Sequence, residues 1–339
     1  INKQDRVLVY DTIDYLENYC KEQQPLSFEL AGPRAKIYFD PNKIHCAIVT
    51  CGGLCPGTND VIRALVLELH YLYKVRHIYG IRYGLQGFIP KYGHDVVQMT
   101  PEFVANIHNF GGTVLSSSRG PQDIGEIVDA LERLNVSILF AIGGDGTLKA
   151  VDLICDEITR RHLRTCVIAI PKTIDKDLPG TDYTLGFETA LNVITEEVDR
   201  LRTTAGSHKR IFVVETMGRT AGWLALEGGE ACGAYIILIP ECDFSMDRVC
   251  DLVLEGRRQG TRYEILVVAE GAKEIGGTEV VKKEGADSFG NKALGGIGEV
   301  VARKIGEKTG LETRSMVLSH LQRGGAPCAY DRRMGRYFG

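Results

Sequence analysis

Two turns in the chain place carboxylates beside glycines, hydroxyls and lysines at points where apolar runs end. The sequence GGDGT at 143–147 follows the apolar run 136–142, and PKTIDKD at 171–177 follows the run 166–170. Glycine-rich strand ends expose backbone N–H groups to which phosphates bind, and Mg²⁺ takes only one or two protein carboxylates. The two turns together predict phosphoryl transfer.

The second turn offers a set of groups suited to acid–base chemistry. In an extended segment Thr173, Asp175 and Asp177 point to the same side, because side chains alternate along extended backbone. One carboxylate can then accept a proton from a substrate hydroxyl while the other orients it or a metal. The alternative is a polar loop whose acids cap the next helix, and Asp145 taken singly has the same alternative. The lysines at 172 and 176 favour the catalytic interpretation.

A third glycine turn, TCGGLCPGTN at 50–59, joins an apolar run to a segment with helical periodicity. Gly52 and Gly53 would let backbone N–H groups and a helix N-terminus converge on a phosphate. A tight strand-to-helix turn also needs glycine for steric reasons alone, so this motif leaves both interpretations open.

The elements that must position these turns alternate along the chain. Short apolar segments, many of them β-branched, indicate strands, and the stretches between them have helical spacing. This alternation predicts an α/β fold with parallel sheets. Residues 1–43 form an added arm with a short helix from Asp11 to Cys20, and the glycine-rich stretch 271–296 is predicted to be loop. The predicted strands are 45–51, 77–81, 136–142, 165–170, 210–215, 234–239 and 264–269, and the predicted helices are 59–74, 123–134, 147–161 and 184–203.

Composition narrows the classes of protein. With 339 residues, of which 44% are hydrophobic, the chain can fill the cores of two domains. A net charge of −4 argues against a general nucleic-acid or membrane-surface binder, and no run reaches the roughly 18 apolar residues that span a bilayer. The 10 cysteines are scattered without a complete zinc pattern. We expect a cytoplasmic protein with reduced thiols, no nucleic-acid partner and no membrane partner.

Taken in order, the motifs resemble those of the 6-phosphofructokinase family. The two turns above, Met217-Gly218-Arg219 and the segment from His320 to Gly325 occur in the family's order and approximate spacing, from about residue 44 to the end. The segment from Ser117 to Asp123, together with Lys172, is most similar to the ATP-using plant and trypanosome branch. The resemblance implies two Rossmann-like three-layer domains with mostly parallel sheets. A nucleotide- and phosphate-binding domain would comprise 44–186, with 322–339 returning to it, and a sugar-phosphate-binding domain would comprise 187–321.

What the resemblance implies is Mg²⁺-dependent transfer of the ATP γ-phosphoryl group to the 1-hydroxyl of fructose 6-phosphate. By similarity, Asp175 is the general base, Thr173 holds the moving phosphoryl group, Asp177 supports the base and Asp145 binds Mg²⁺. Arg119 would bridge the donor and acceptor phosphates, where a cation lowers the barrier. The residues implied to bind the donor are Gly52, Gly53, Arg119, Gly120, Gly144, Asp145, Gly146, Thr147 and Lys172.

The sugar phosphate is expected to be bound mainly by residues of the second half, because arginine forks match phosphate oxygens. In the family, the counterparts of Arg210 and Arg314 reach into a neighbouring subunit's site, which implies a homo-oligomer and specifically a homotetramer. Taken singly, each of these arginines could be a salt-bridged surface residue, and Glu270 could be a strand-end charge. The residues implied to bind the sugar phosphate are Thr173, Asp175, Arg210, Met217, Gly218, Arg219, Glu270, Arg314, His320 and Arg323.

Two positions bear on the phosphoryl donor. In the family, glycine at position 146 leaves room for the ATP α-phosphate, whereas pyrophosphate users have an aspartate there; Lys172 occurs in pyrophosphate users and also in plant and trypanosome ATP enzymes. We expect ATP, because exclusion by size and charge discriminates more strongly than one attractive lysine. The alternatives are a diphosphate-dependent phosphotransferase and a non-catalytic sugar-phosphate-binding subunit. Gln259 and Thr261 stand where bacterial members have effector-binding cations, so bacterial-style allosteric control is not expected.

Overall fold

The computed structural model describes residues 4–10, 12–19, 25–286 and 292–339. Strands and helices alternate through most of this part of the chain. The strands are β1 (Arg6–Leu8), β2 (Ser27–Glu29), β3 (His45–Thr50), β4 (His77–Ile81), β5 (Val96–Gln98), β6 (Val136–Gly143), β7 (Cys166–Pro171), β8 (Ile211–Thr216), β9 (Ile236–Leu238), β10 (Glu264–Ala269), β11 (Val281–Ala286), β12 (Lys292–Leu294) and β13 (Thr313–Val317). The α-helices are α1 (Ile13–Tyr19), α2 (Thr58–Leu67), α3 (Pro101–Val104), α4 (Ile124–Arg133), α5 (Asp145–Arg160), α6 (Phe187–His208), α7 (Trp223–Ala231), α8 (Met246–Arg258), α9 (Ile297–Thr309) and α10 (Ala329–Phe338). A π-helical turn, Glu68–Leu72, extends α2, and a 3₁₀ helix, Ser319–Arg323, follows β13.

The first sheet has the strand order β5-β4-β3-β6-β7, and all its pairs are parallel except the one between β4 and β5. Its central strands are apolar on both faces: Ile48 belongs to the core packed against α2, whereas Val49 belongs to the core packed against α4 and α5. Helices therefore cover both faces, as parallel sheets require. The register pairs Gly143 with Pro171, so the two acidic turns begin side by side at one edge of the sheet.

The second sheet has the order β13-β8-β10-β9 and is entirely parallel. Val214 and Val267 face the core under α6 and α7, and Val213 and Leu266 face the core under α8 and α9. Each sheet is thus the middle layer of a three-layer unit, as predicted. The carboxyl ends of β8, β10 and β13 lead to residues 217–219, Glu270 and the 3₁₀ helix.

Helix α10 links the two units. It packs against α2 of the first unit, and the buried Asp331 accepts hydrogen bonds from the backbone N–H groups of Gly186 and Thr189, both at 2.8 Å, at the start of α6. A carboxylate at a helix N-terminus satisfies N–H groups that have no partner within the helix. The domain boundaries, including the expected return of 322–339 to the first domain, stay a prediction.

Two segments differ from what the sequence predicts. The arm contains a hairpin, β1 paired with β2, besides the predicted helix, whose predicted ends Asp11 and Cys20 lie outside the described residues. The predicted loop 271–296 contains the antiparallel pair β11 and β12, with 287–291 outside the described residues. These short, charged strands lack the regular apolar alternation by which a strand is recognised. Within the described part of the chain, no helix is long and apolar enough to cross a bilayer.

Candidate active site

A cavity of about 690 Å³ opens at the carboxyl edge of the first sheet. The turn after β3 is held there by the loop before α4: Ser117 Oγ donates to the Gly52 carbonyl oxygen at 2.8 Å, and Gly52 N–H donates to the Ser118 carbonyl oxygen at 3.2 Å. Gly52 has φ +77°, a conformation that favours glycine. The cavity is lined by Gly52, Gly53, Leu54, Gly111, Gly112, Thr113, Ser116, Ser117, Ser118, Arg119, His320, Arg323 and Gly324.

Gly53 is the position where two cationic side chains approach the backbone. A Cβ atom there would lie 2.9 Å from Nη1 of Arg323 and 3.7 Å from Nη2 of Arg119. The first distance is too short for a real contact, so glycine is what lets Arg323 lie against this turn. Two guanidinium groups beside exposed backbone make the cavity suited to an anionic ligand rich in oxygen, such as a phosphate.

Arg323 also contacts the predicted general base. Its Nη2 lies 3.7 Å from Oδ2 of Asp175, and its Nη1 donates to the Leu54 carbonyl oxygen at 3.3 Å. Asp175 is buried, and Oδ1 of its carboxyl group has no hydrogen-bond partner among the described residues. Burial raises the pKa of Asp175, and the positive charge of Arg323 opposes that rise. A desolvated carboxylate with a free oxygen is well suited to accept a proton.

The neighbouring hydroxyl and acid are bonded to each other. Thr173 Oγ1 donates to Oδ1 of Asp177 at 2.9 Å and accepts the backbone N–H of Asp175 at 3.1 Å. Thr173 is buried, whereas Asp177 is exposed. Asp177 therefore fixes the Thr173 hydroxyl, and that hydroxyl fixes the backbone from which the Asp175 side chain projects.

Lys172 joins the glycine turns. Its side chain is buried, and Nζ donates to the Gly53 carbonyl oxygen and lies 3.9 Å from Sγ of Cys55. Its backbone N–H donates to the Gly143 carbonyl oxygen at 2.9 Å. The lysine thus places a buried positive charge between the turn after β3 and the two acidic turns.

Asp145 begins α5, and its exposed carboxylate pairs with Nζ of Lys149 at 2.8 Å. It lies two positions after Gly143, which pairs with Pro171 at the end of the neighbouring strand, so both acidic turns share one edge. Among the described residues, no group of three or more His, Cys, Asp or Glu side chains could by itself hold a metal. A single carboxylate beside a phosphate-binding surface fits Mg²⁺, which is usually completed by water and substrate phosphates.

The predicted sugar-binding residues of the second unit other than Arg210 and Arg314 lie at the corresponding edge of its sheet. Arg219 N–H donates to Oε1 of Glu270 at 2.9 Å, and Met217 N–H donates to Oε1 of Gln322 at 3.4 Å. Burial raises the pKa of Glu270, the hydrogen bond from Arg219 lowers it, and the negative charge of Asp175 raises it further. The two carboxylates are therefore close enough to interact electrostatically across the site.

Arg210 and Arg314 lie elsewhere. Arg210 precedes β8 and Arg314 is at the start of β13, so both are at the amino edge of the second sheet, away from Asp175. They share one acidic partner: Oε1 of Glu312 lies 2.8 Å from Nε of Arg210 and 2.8 Å from Nη2 of Arg314. Within one chain, these arginines are not brought together with the other predicted site residues.

Some lining residues were not predicted from the sequence. Gly111 packs so closely against the backbone of Gly325 that a Cβ atom would overlap it. The next residue, Gly112, has φ +66°. The Gly-Gly pair before Thr113 is the local signal that could have indicated this close approach. The lining residues not predicted as site residues are Leu54, Gly111, Gly112, Thr113, Ser116, Ser117, Ser118 and Gly324.

Comparison with known proteins identifies the family and the fold. The family model described as phosphofructokinase matches residues 45–339. The chain belongs to the phosphofructokinase family. The resemblance inferred from the motifs is therefore confirmed.

Relatives of this phosphofructokinase-family chain are named for two different donors. It is 44% identical over 285 residues to an ATP-dependent 6-phosphofructokinase of Trypanosoma cruzi, covering 83% of this chain and 58% of that protein. It is 41% identical over 305 residues to a pyrophosphate–fructose 6-phosphate 1-phosphotransferase of Dictyoglomus thermophilum, covering 88% of this chain and 85% of that protein. Overall identity therefore does not distinguish the donors.

The structure of phosphofructokinase from Saccharomyces cerevisiae has the same fold. It superposes with a TM-score of 0.74 at 30% identity, over 87% of this chain and 40% of the yeast chain. The predicted α/β fold with two Rossmann-like units is confirmed. The chain spans less than two thirds of the trypanosome and yeast proteins.

Proposed function

We propose that the protein is an ATP-dependent 6-phosphofructokinase, which transfers the γ-phosphoryl group of ATP to the 1-hydroxyl of fructose 6-phosphate and so acts in glycolysis in the cytoplasm. The observation that supports this most is the placement of Asp175. It is a buried carboxylate with a free Oδ1, held 3.7 Å from Arg323 at the edge of a cavity lined by a second arginine. A base, phosphate-binding cations and a glycine turn are the parts that phosphoryl transfer needs.

In this proposal Asp175 accepts the proton of the sugar 1-hydroxyl as its oxygen attacks the γ-phosphorus. Arg119 and Lys172 stabilise charge on the phosphates, and the Thr173 hydroxyl, fixed by Asp177, contacts the moving group. Mg²⁺, held through Asp145, neutralises donor phosphate charge when it is bound. Preorganised cations at such positions contribute on the order of several kcal/mol to lowering the barrier.

Fructose 6-phosphate would bind between the two units. Glu270 accepts hydrogen bonds from hydroxyl groups of the sugar. His320, Arg323 and the turn 217–219 surround the sugar phosphate. Arg210 and Arg314 lie on the opposite edge of the second sheet, so they can contribute to a sugar-phosphate site only in another copy of the chain. A homotetramer in which these arginines complete a neighbour's site is part of the proposal.

ATP is favoured as the donor by Gly146. This residue lies in the first turn of α5, beside the cavity edge, where an aspartate would add a carboxylate against the α-phosphate. Pyrophosphate is the second candidate, because the buried Lys172 could stabilise a leaving phosphate and a pyrophosphate-dependent relative is 41% identical. A purely regulatory subunit is disfavoured because Asp145 and Asp175 are both present.

A coupled assay tests activity and donor together. Fructose 1,6-bisphosphate formation is measured with fructose 6-phosphate and Mg²⁺, with ATP and pyrophosphate supplied in separate reactions, and Asp175→Asn serves as the catalytic control. Product formed with ATP and lost in the control is the expected result. Product formed only with pyrophosphate would show that pyrophosphate, not ATP, is the donor. No product with either compound would overturn the proposed activity.

A further inference from the structure

Lys176, between the two acids of the catalytic turn, has an unusually enclosed side chain. Its Nζ lies 2.9 Å from Oε1 of Glu227 and 5.0 Å from the ring centroids of both Phe187 and Trp223, with Tyr183 at 5.8 Å. Only 19% of the side chain is exposed. A cation over several aromatic faces, paired with a carboxylate, is held from several directions at once. We call these four partners the Lys176 clasp.

The Lys176 clasp joins elements that are distant in the sequence. The lysine follows β7 of the first sheet, whereas Trp223 and Glu227 belong to α7 and Phe187 begins α6. The Lys176 backbone has φ +55°, a left-handed conformation that residues other than glycine and asparagine rarely adopt. A strained conformation persists only where surrounding contacts hold it, and the clasp supplies such contacts.

The neighbouring base depends on this backbone. Oδ1 of Asp175 has no hydrogen-bond partner among the described residues, and Oδ2 has only the 3.7 Å approach of Arg323. Few contacts of its own therefore fix the carboxylate, so its position follows from the backbone of the turn. That backbone is anchored on one side by the Thr173–Asp177 hydrogen bond and on the other by Lys176.

We propose that Lys176 is a positioning residue: through the clasp it anchors the 173–177 turn to α7 and so sets the placement of the Asp175 carboxylate for the reaction. The lysine itself touches neither substrate. This inference rests on the proposed function for its kinetic consequence, but the clasp can be measured independently of activity.

The kinetic test compares Lys176→Met, which keeps the length of the side chain but removes its charge, with Lys176→Arg, which keeps a cation for the rings and Glu227. We expect Lys176→Met to lower kcat at least about 10-fold while changing KM for fructose 6-phosphate less than about threefold, since misplacing a catalytic group affects mainly the chemical step. The kcat of Lys176→Arg should stay within about threefold of the wild-type value. Lys308→Met, which removes a surface lysine paired with Asp247 between two other helices, is the matched control and should change neither constant.

Fluorescence gives the second readout, because Trp223 is the only tryptophan of the chain. Removing the ammonium group 5.0 Å from its ring should shift the emission of folded Lys176→Met, and Glu227→Gln, which weakens the hold on the lysine, should shift it in part. Lys308→Met should leave the spectrum unchanged, and all variants should coincide in denaturant. Glu227→Gln also replaces Lys176→Met in the kinetic test should the latter fail to fold, with a smaller loss of kcat expected.

The outcomes separate the two claims. Wild-type kcat in folded Lys176→Met, or an equal loss in Lys176→Arg, would overturn the positioning role. An emission spectrum unaffected by Lys176→Met would overturn the clasp itself. A wild-type protein inactive with both donors would overturn the proposed function, and the fluorescence comparison would still decide whether the clasp exists.

Discussion

Nη2 of Arg323 lies 3.7 Å from Oδ2 of Asp175, and the two side chains are only 11% and 5% exposed. The arginine follows β13 in the second sheet, and the aspartate follows β7 in the first. Their contact therefore brings the ends of two separate sheets to one point. It also sets two opposing influences on the carboxyl group: burial, which disfavours its charge, and a nearby cation, which favours it.

Replacing the base should abolish turnover while leaving binding nearly intact. Asp175→Asn keeps the shape of the side chain but cannot accept a proton, so kcat should fall about 100- to 10,000-fold. Steady-state kinetics and calorimetric titration with fructose 6-phosphate measure the two effects separately. Asp243→Asn, at a surface acid paired with Lys273, should be indistinguishable from wild type. An equal loss of affinity and rate would indicate misfolding rather than loss of a base.

Removing the arginine should shift the pH dependence of the reaction. Arg323 lowers the pKa of Asp175, so Arg323→Gln should raise that pKa, and the acidic limb of the kcat profile should move to higher pH. The profile is measured at saturating substrate, because the same arginine is proposed to bind the sugar phosphate. Arg200→Gln, at an exposed arginine paired with Glu196 on α6, should leave the limb in place. An unmoved limb in Arg323→Gln would contradict the electrostatic assignment.

Asp60, buried where α2 meets α10, should make stability depend on pH. Burial raises its pKa from 3.8 to about 6, so the folded state holds the proton more tightly than the unfolded chain does. The stability gained from this proton is present at low pH and is lost as pH rises from 3.8 through about 6. Asp60→Asn should therefore raise the free energy of unfolding at pH 7.5 by about 1–3 kcal/mol relative to its effect near pH 4. Urea unfolding at both pH values measures this, and an effect that does not change with pH would refute it.

Gly146→Asp should change the donor rather than the fold. Gly146 is not among the residues with positive φ and lies in the first turn of α5, where an aspartate is favourable to the helix. The melting temperature should therefore be retained or raised. With the added carboxylate against the α-phosphate, kcat/KM for ATP should fall at least about 100-fold, whereas any rate with pyrophosphate should persist. Gly125→Asp, in the first turn of α4, is the matched helix control, and unchanged ATP use in Gly146→Asp would refute the donor assignment.

The two strands that carry the acidic turns, β6 and β7, could be predicted from the sequence because each is an apolar run that ends in glycine or proline. The run 136–142 is observed as Val136–Gly143, and the predicted strand 165–170 as Cys166–Pro171. Although β7 lies at the edge of the sheet with Ile168 exposed, both strands are short apolar runs, and this local composition distinguishes them from the helices between them. The two acidic turns therefore follow directly from strand ends.

Contacts between distant segments could not be predicted in the same way. Nothing near Lys176 in the sequence indicates that Trp223 and Glu227 surround it, and nothing near Gly53 indicates that Arg323 packs on it. Both depend on how two units are joined, which hydrophobic periodicity does not specify. The strands β11 and β12 could not be predicted either, because they are short and charged and are defined by pairing with each other.

The packing of α10 on α2 has a consequence for biosynthesis. Residues 58–67 leave the ribosome long before residues 329–338, against which they pack. The start of α6 likewise has no buried carboxylate partner until Asp331 has been made. While the nascent chain is still being made, the apolar surface of α2 that Met334 and Phe338 later help to cover stays uncovered. Contacts this far apart in sequence form late and slowly. A molecular chaperone that shields α2 during translation would therefore act mainly in the interval before residues 329–338 are made.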